Sequence, residues 1–162
     1  MSTRVMLLRR WAVAALVAAT ALPAHASAQQ CSAAVLRDAS ISPASIAFST
    51  PTVVDFDNQG IVYGSVVTVN ITSSLWILPL SWSLCVNADT PNLGSSQGVS
   101  KPLTDLQVEL MDGNWRPITS TQQRLRTGNG NATVQLRVRM RLSWDADPPG
   151  TFGTVLRFTV GS

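Results

Sequence analysis

The stretch ATVQLRVRMRLSW, residues 132–144, constrains the fold more than any other. Val134, Leu136, Val138, Met140, Leu142 and Trp144 alternate there with Gln135, Arg137, Arg139, Arg141 and Ser143. Successive side chains on an extended strand point to opposite faces, so a period of two marks a strand with one face on a core and one toward solvent. A helix would scatter the same apolar residues around its circumference. Such a strand needs strand neighbours and a covering layer, supplied by this chain or by another.

Other stretches repeat the pattern. The closing segment DPPGTFGTVLRFTVGS reads as a tight turn and a strand, with Phe152, Thr154, Leu156, Phe158 and Val160 on one face and Val155, Arg157 and Thr159 on the other. SPASIAF places Ile46 and Phe48 together, TVVDF is a short strand candidate, and GIVYGSVVTVNIT carries Val67, Val69 and Ile71 on one face. SLWILPLSWSLCV is almost continuously apolar, as a strand covered on both faces would be, although Pro79 argues for a bend or an edge. DLQVELM alternates Leu106, Val108 and Leu110 against Asp105, Gln107 and Glu109, and DGN suits a turn into WRPI. NADTPNLGSSQGVSKPLT and TSTQQRLRTGNGN read as long polar loops. Seven or eight short strands separated by turn signals predict an all-β fold, an immunoglobulin-like antiparallel β-sandwich. The last strand runs to Gly161-Ser162, and its other edge can meet either another strand of this chain or a partner.

The N-terminus reads as a leader. Arg4, Arg9 and Arg10 precede the apolar run WAVAALVAATAL, and Pro23 and AHASAQQ follow with small residues for cleavage after Ala26 or Ala28. The run is shorter than the roughly 20 apolar residues of a membrane span, so no stable membrane anchor is expected. Residues 1–28 are thus a signal peptide, and 29–162 a single β-sandwich domain. The leader holds three of the 12 basic residues and none of the nine acidic ones, so the mature domain is formally neutral and nucleic acid is not an expected partner. Outside the cytoplasm, Cys31 and Cys85 most simply form a disulfide closing a loop of about 54 residues. The alternative, free thiols in catalysis or metal binding, is weakened because the only histidine, His25, leaves with the leader.

The same loss argues against an enzyme: the abundant serines have no histidine to activate them, and no phosphate-cradling glycine loop opens a helix. No cofactor or metal is expected. Asp55 with Asp57, and Asp145 with Asp147, would share a side if each pair lay on a strand, but both sit beside turns where Asp commonly bonds its own backbone. Trp76, Trp82 and Trp144 read as core fillers, whereas Trp115, in a turn, is the candidate for an exposed contact. If the last two strands pair with both apolar rows inward, opposed residue numbers share parity, and Arg157 faces Arg137, Arg139 or Arg141. Either Glu109, Asp105 or solvent neutralises that juxtaposition, or the four arginines form a basic contact face for an acidic partner.

Cys31 near the expected mature start, ISPASIAF, and the closing PPGTFGTVLRFTV together resemble the spore coat protein U domain, a family that includes the archaic chaperone–usher pilins. Its last strand commonly follows a Pro-x-Gly-Thr-aromatic turn, matched by Pro148, Gly150, Thr151 and Phe152. The resemblance covers roughly residues 31–56 and 132–160, and the middle matches in strand rhythm alone. It implies an immunoglobulin-like domain completed by a donated β-strand, first from a periplasmic chaperone and then, after the usher, from a neighbouring pilus subunit. Leu156, Phe158 and Val160 would line the strand-acceptor groove. It further implies secretion to the periplasm and cell surface of a Gram-negative bacterium, and a structural or adhesion role with a host or surface ligand. Two features depart from the pattern. Only two to four residues separate the expected cleavage from Cys31, too few for a donor extension, and Cys85 sits late, in the third long strand. They favour a tip, terminal or non-polymerising member over a shaft pilin. The reading of a different class is a self-contained extracytoplasmic binding domain acting through its loops or its arginine face.

Overall fold

The computed structural model describes residues 31–32, 37–73, 80–147 and 149–161. The expected leader, the stretch 74–79 with Trp76 and Pro79, and Pro148 of the closing turn lie outside the described residues. Along the chain the elements are β1 (Arg37–Ser42), α1 (Val53–Asn58), β2 (Ile61–Tyr63), β3 (Val67–Ser73), β4 (Ser81–Ala88), β5 (Asn92–Ser96) and β6 (Val99–Pro102). A 3-10 turn (Leu103–Asp105) leads into β7 (Leu106–Glu109), β8 (Arg116–Pro117), β9 (Gln123–Asn129), β10 (Ala132–Arg141) and β11 (Leu156–Gly161).

The alternating row of β10 is the middle of the larger sheet. One edge of β10 pairs with β3, from Ala132↔Ile71 to Leu136↔Val67, and the other pairs with β7. β1 joins the far edge of β3 and β8 that of β7, giving the order β1-β3-β10-β7-β8, while β2 pairs with the end of β10 beyond β3. The smaller sheet has the order β11-β4-β9, and β5 and β6 form a separate hairpin. Every pairing is antiparallel. The order β1-β3-β10-β7 and the β4–β11 pair reproduce the A-B-E-D and C-F neighbours of an immunoglobulin-like sandwich.

The core is built from rows of one parity. Val134, Leu136 and Val138 of β10 meet Val67, Val69 and Ile71 of β3, Val108 of β7, and Leu84 and Val86 of β4 in one buried cluster. β4 is buried on both faces, as its continuous apolar run predicts: Trp82, Leu84, Val86 and Ala88 join the core, and Ser83 and Cys85 are buried as well. Cys85 forms the expected disulfide with Cys31, with Cα atoms 6.1 Å apart.

Several expectations are corrected. TVVDF is helical, because Thr52 and Asp55 form a capping box that satisfies two backbone donors at the start of α1. Both polar loops contain strands. The first folds into the β5–β6 hairpin about Gln97 and Gly98, whose φ angles of 51° and 78° suit a two-residue hairpin turn. The second holds β9, which pairs with β4 and buries a single apolar side chain, Leu125.

The largest correction concerns β11. It pairs with β4 in the second sheet, from Leu156↔Ala88 to Gly161↔Ser83, and has no ladder with β10. Parity is kept, since the even row of β11 lies opposite the even row of β4. The connection after β10 bonds elsewhere: the Leu142 amide donates to Gly60, Gly153 to Leu93, and Asp89 to Val155, at 2.7, 2.7 and 3.0 Å. These bonds carry the chain from one sheet to the other. Trp144 is also no core residue. It is 56% exposed, stacks on Phe56 at 4.3 Å between centroids, and donates its indole N–H to Asp57 at 3.0 Å.

Candidate functional site

β11 carries a ladder along its β4 side, and no described strand pairs with its other edge. In an immunoglobulin-like sandwich that edge is the place of the seventh strand, beside strand F. β1 is the corresponding edge of the larger sheet, paired among the described residues through β3 alone. Between them runs an apolar groove of about 410 Å³. Leu156 and Phe158 of β11 line one side; Ile46 and Phe48, in the segment after β1, line the other, with Phe152 and Met140 between. Ile41 and Val155 also line it and are 38% and 64% exposed, so the groove is rimmed by apolar side chains that water still reaches.

Local sequence explains its shape. Phe48 forms an isolated antiparallel bridge to Gly64, and a Cβ at Gly64 would stand 2.6 Å from Ile46 Cγ2. Only glycine leaves room for the Ile46–Phe48 segment to lie this close. Of the three residues expected to line a groove, Leu156 and Phe158 do so while half-buried; Val160 is buried at 9% exposure and is not part of the lining. Phe152 and Met140 belong to the alternating rows, but the sequence alone did not mark them as groove residues, because their position depends on which sheet β11 joins.

The arginines separate into two sets. Arg137, Arg139 and Arg141 occupy the outward row of β10. Arg137 lies opposite Glu109 and donates to its Oε1 at 2.7 Å. Glu109 is fully buried and also accepts the Gly113 amide at 2.6 Å. The Arg137 hydrogen bond holds the Glu109 carboxyl below the usual carboxylate range, against the opposing effect of burial. Arg139 donates to Gln107 Oε1 at 2.7 Å, and its guanidinium lies 4.1 Å from the centroid of the half-buried Trp115 ring. Tyr63 stands on Trp115 at 5.9 Å.

Arg157 is in the other sheet, opposite Asn87, and makes a two-point contact with Asp89 at 3.1 and 3.0 Å. That contact raises the Arg157 pKa and lowers that of Asp89. The expected opposition of Arg157 to another arginine is therefore absent, and the four arginines form no single face. Glu109 does neutralise Arg137, as one expectation had it, whereas Asp105 turns to Lys101.

The paired aspartates have other partners. Asp55 caps α1, where its hydrogen bonds with Thr52 lower its pKa, and Asp57 accepts from Trp144. Asp145 is exposed, while Asp147 contacts Lys101. Among the described residues no group of three or more His, Cys, Asp or Glu side chains is placed to hold a metal ion. Lys101 escaped the sequence reading altogether. It is buried in a segment read as a loop, and the four-residue spacing to Asp105 was the available signal.

No family model matches the chain, and no curated protein matches it. Among solved structures, a chain from a chaperone–usher pilus structure concerned with rod uncoiling aligns with it at a TM-score of 0.48 and 12% identity, over 98% of both chains. A likeness of that size bears on neither function nor partners, and the fold rests on the strand order itself.

Proposed function

We propose that this protein is a strand-accepting, pilin-like subunit of a chaperone–usher surface fibre, exported to the periplasm and displayed at the cell surface of a Gram-negative bacterium. The observation that carries the reading is the apolar groove between β1 and β11, open along the β11 edge where a seventh strand would lie. An extended segment entering there would gain backbone hydrogen bonds from β11 and seat alternate side chains between Leu156, Phe158, Ile46 and Phe48. A periplasmic chaperone fills the groove first and a neighbouring subunit replaces it. The resemblance of the Pro148–Phe152 turn and its strand to the spore coat protein U domain supports the same reading.

The role is structural or adhesive and not enzymatic. The few residues between the expected cleavage site and Cys31 favour a tip, terminal or non-polymerising position, one that accepts a strand without donating one. In an adhesive role, the cluster of Tyr63, Trp115 and Arg139 is the surface that meets a host or surface ligand.

The test is expression in the periplasm with and without a co-expressed fimbrial chaperone. The full chain should be degraded alone and rescued as a chaperone complex. Phe158→Asp, which sets a charge in the groove, should abolish capture. A stable soluble monomer needing no chaperone, or capture unaffected by Phe158→Asp and Leu156→Asp, contradicts the proposal.

A further inference from the structure

Lys101, at the end of the polar hairpin, is 1% exposed, the largest fully buried side chain among the described residues. Its Nζ lies 2.5 Å from Asp147 Oδ2 and 3.1 Å from Asp105 Oδ2, with the Phe152 ring centroid 6.0 Å away. The Asp147 side chain is 6% exposed. Its Oδ2 also accepts the Ser143 amide at 2.9 Å, whereas its Oδ1 is buried with no hydrogen-bond partner.

A structural ion pair accounts poorly for this arrangement. Two carboxylates share one buried ammonium, and removing charges from water is costly. A buried oxygen without a partner adds to that cost. Amine and carboxyl carbon are instead held side by side, out of water, with a second carboxylate on the same nitrogen.

We propose that Lys101 and Asp147 condense into an intramolecular amide cross-link, with Asp105 carrying the proton. With one proton moved from Nζ to Asp147, a neutral amine stands beside a neutral carboxylic acid. The nitrogen lone pair attacks Asp147 Cγ and the N–C bond forms. Asp105 takes a proton from the nitrogen and delivers it to the departing hydroxyl, so the C–O bond breaks and one water leaves. No oxidant or cofactor takes part, and the fixed contact replaces an encounter between separate molecules. The amide replaces the Lys101–Asp147 ion pair by a neutral group, and the net negative charge of the cluster stays on Asp105. The link ties the end of β6 to the segment that leads into β11, across 46 residues of chain. It stands independently of the strand-accepting role.

The intact mass of the exported full chain, corrected for its disulfide, tests this directly. We expect a mass about 18 Da below that of the sequence, one water lost. A protease digest should yield a peptide joining Lys101 to Asp147, and Lys101→Arg and Asp105→Asn should each restore the full mass. A wild-type chain with no water lost overturns the proposal, as does a loss that maps elsewhere, such as a ring closure at Asp112 before Gly113. An Asp105→Asn variant that still cross-links overturns the role given to Asp105. The wild-type mass is decisive even if a variant fails to fold.

Discussion

Glu109 and Lys101 show how single residues in this fold take roles that their chemistry alone does not announce. Glu109 sits at an outward position by alternation, yet it is fully buried beneath Arg137 and the Gly113 amide. Trp144 is the converse, an apolar residue in register with the core row that lies on the surface because β10 ends three residues earlier, at Arg141. Alternation tells which way a side chain points while the strand lasts; it tells neither where the strand stops nor what covers it. The acid response belongs to this scale. Asp55, Asp89 and Glu109 all have pKa values lowered by hydrogen bonds in the folded state, to Thr52, Arg157 and Arg137 respectively. Their stabilising effect is therefore complete above the unfolded carboxylate value, about 4, and is lost as pH falls through the lower folded values. Thermal melts should give a midpoint nearly constant from about pH 8 to 5 and falling below about pH 4. Glu109→Gln should lower the plateau and flatten the acid limb. An acid limb unchanged by that substitution would remove Glu109 from the account.

Elements were legible where the apolar period was long. β10, β3 and β7 follow it and form the middle of the larger sheet. β9 and the β5–β6 hairpin were hidden because each buries a single apolar side chain, Leu125 in β9 and Leu93 in the hairpin. Gly128 adds to the concealment. Glycine is uncommon within strands, but here a Cβ would overlap the Trp82 ring, so the position requires it. α1 was misread because Val53, Val54 and Phe56 suit a strand, whereas the cap formed by Thr52 and Asp55 decides for a helix. The disulfide was legible from cysteine count and compartment, and it fastens Cys31 to the middle of β4. Replacing both cysteines by alanine should cost about 2–5 kcal/mol, read from the denaturant midpoint under oxidising conditions. A midpoint indistinguishable from wild type would mean that the Cys31 segment contributes nothing to the second sheet.

At the scale of the whole molecule, the all-β class and the sandwich were written in strand rhythm, whereas the partner of β11 was not. Parity fixed which face of β11 turns inward and is satisfied equally by β10 or β4, so nothing local distinguishes a hairpin from a crossing between sheets. Leu156 and Phe158 as groove residues survive either choice, because both remain on the core face; the single arginine face does not, because it required β10 and β11 in one sheet. With β11 beside β4, the larger sheet ends at β1, the smaller at β11, and the apolar groove lies between the two edges. The central claim is that, among the described residues, no strand pairs with this β11 edge. Residue-resolved amide hydrogen exchange on the exported full chain, without any partner, tests it most directly. Amides of β11 that point toward β4 should be protected like those of β10, while the alternate amides that point into the groove should exchange orders of magnitude faster. Uniform protection along β11 would mean that the chain already fills this edge itself, and would contradict the account.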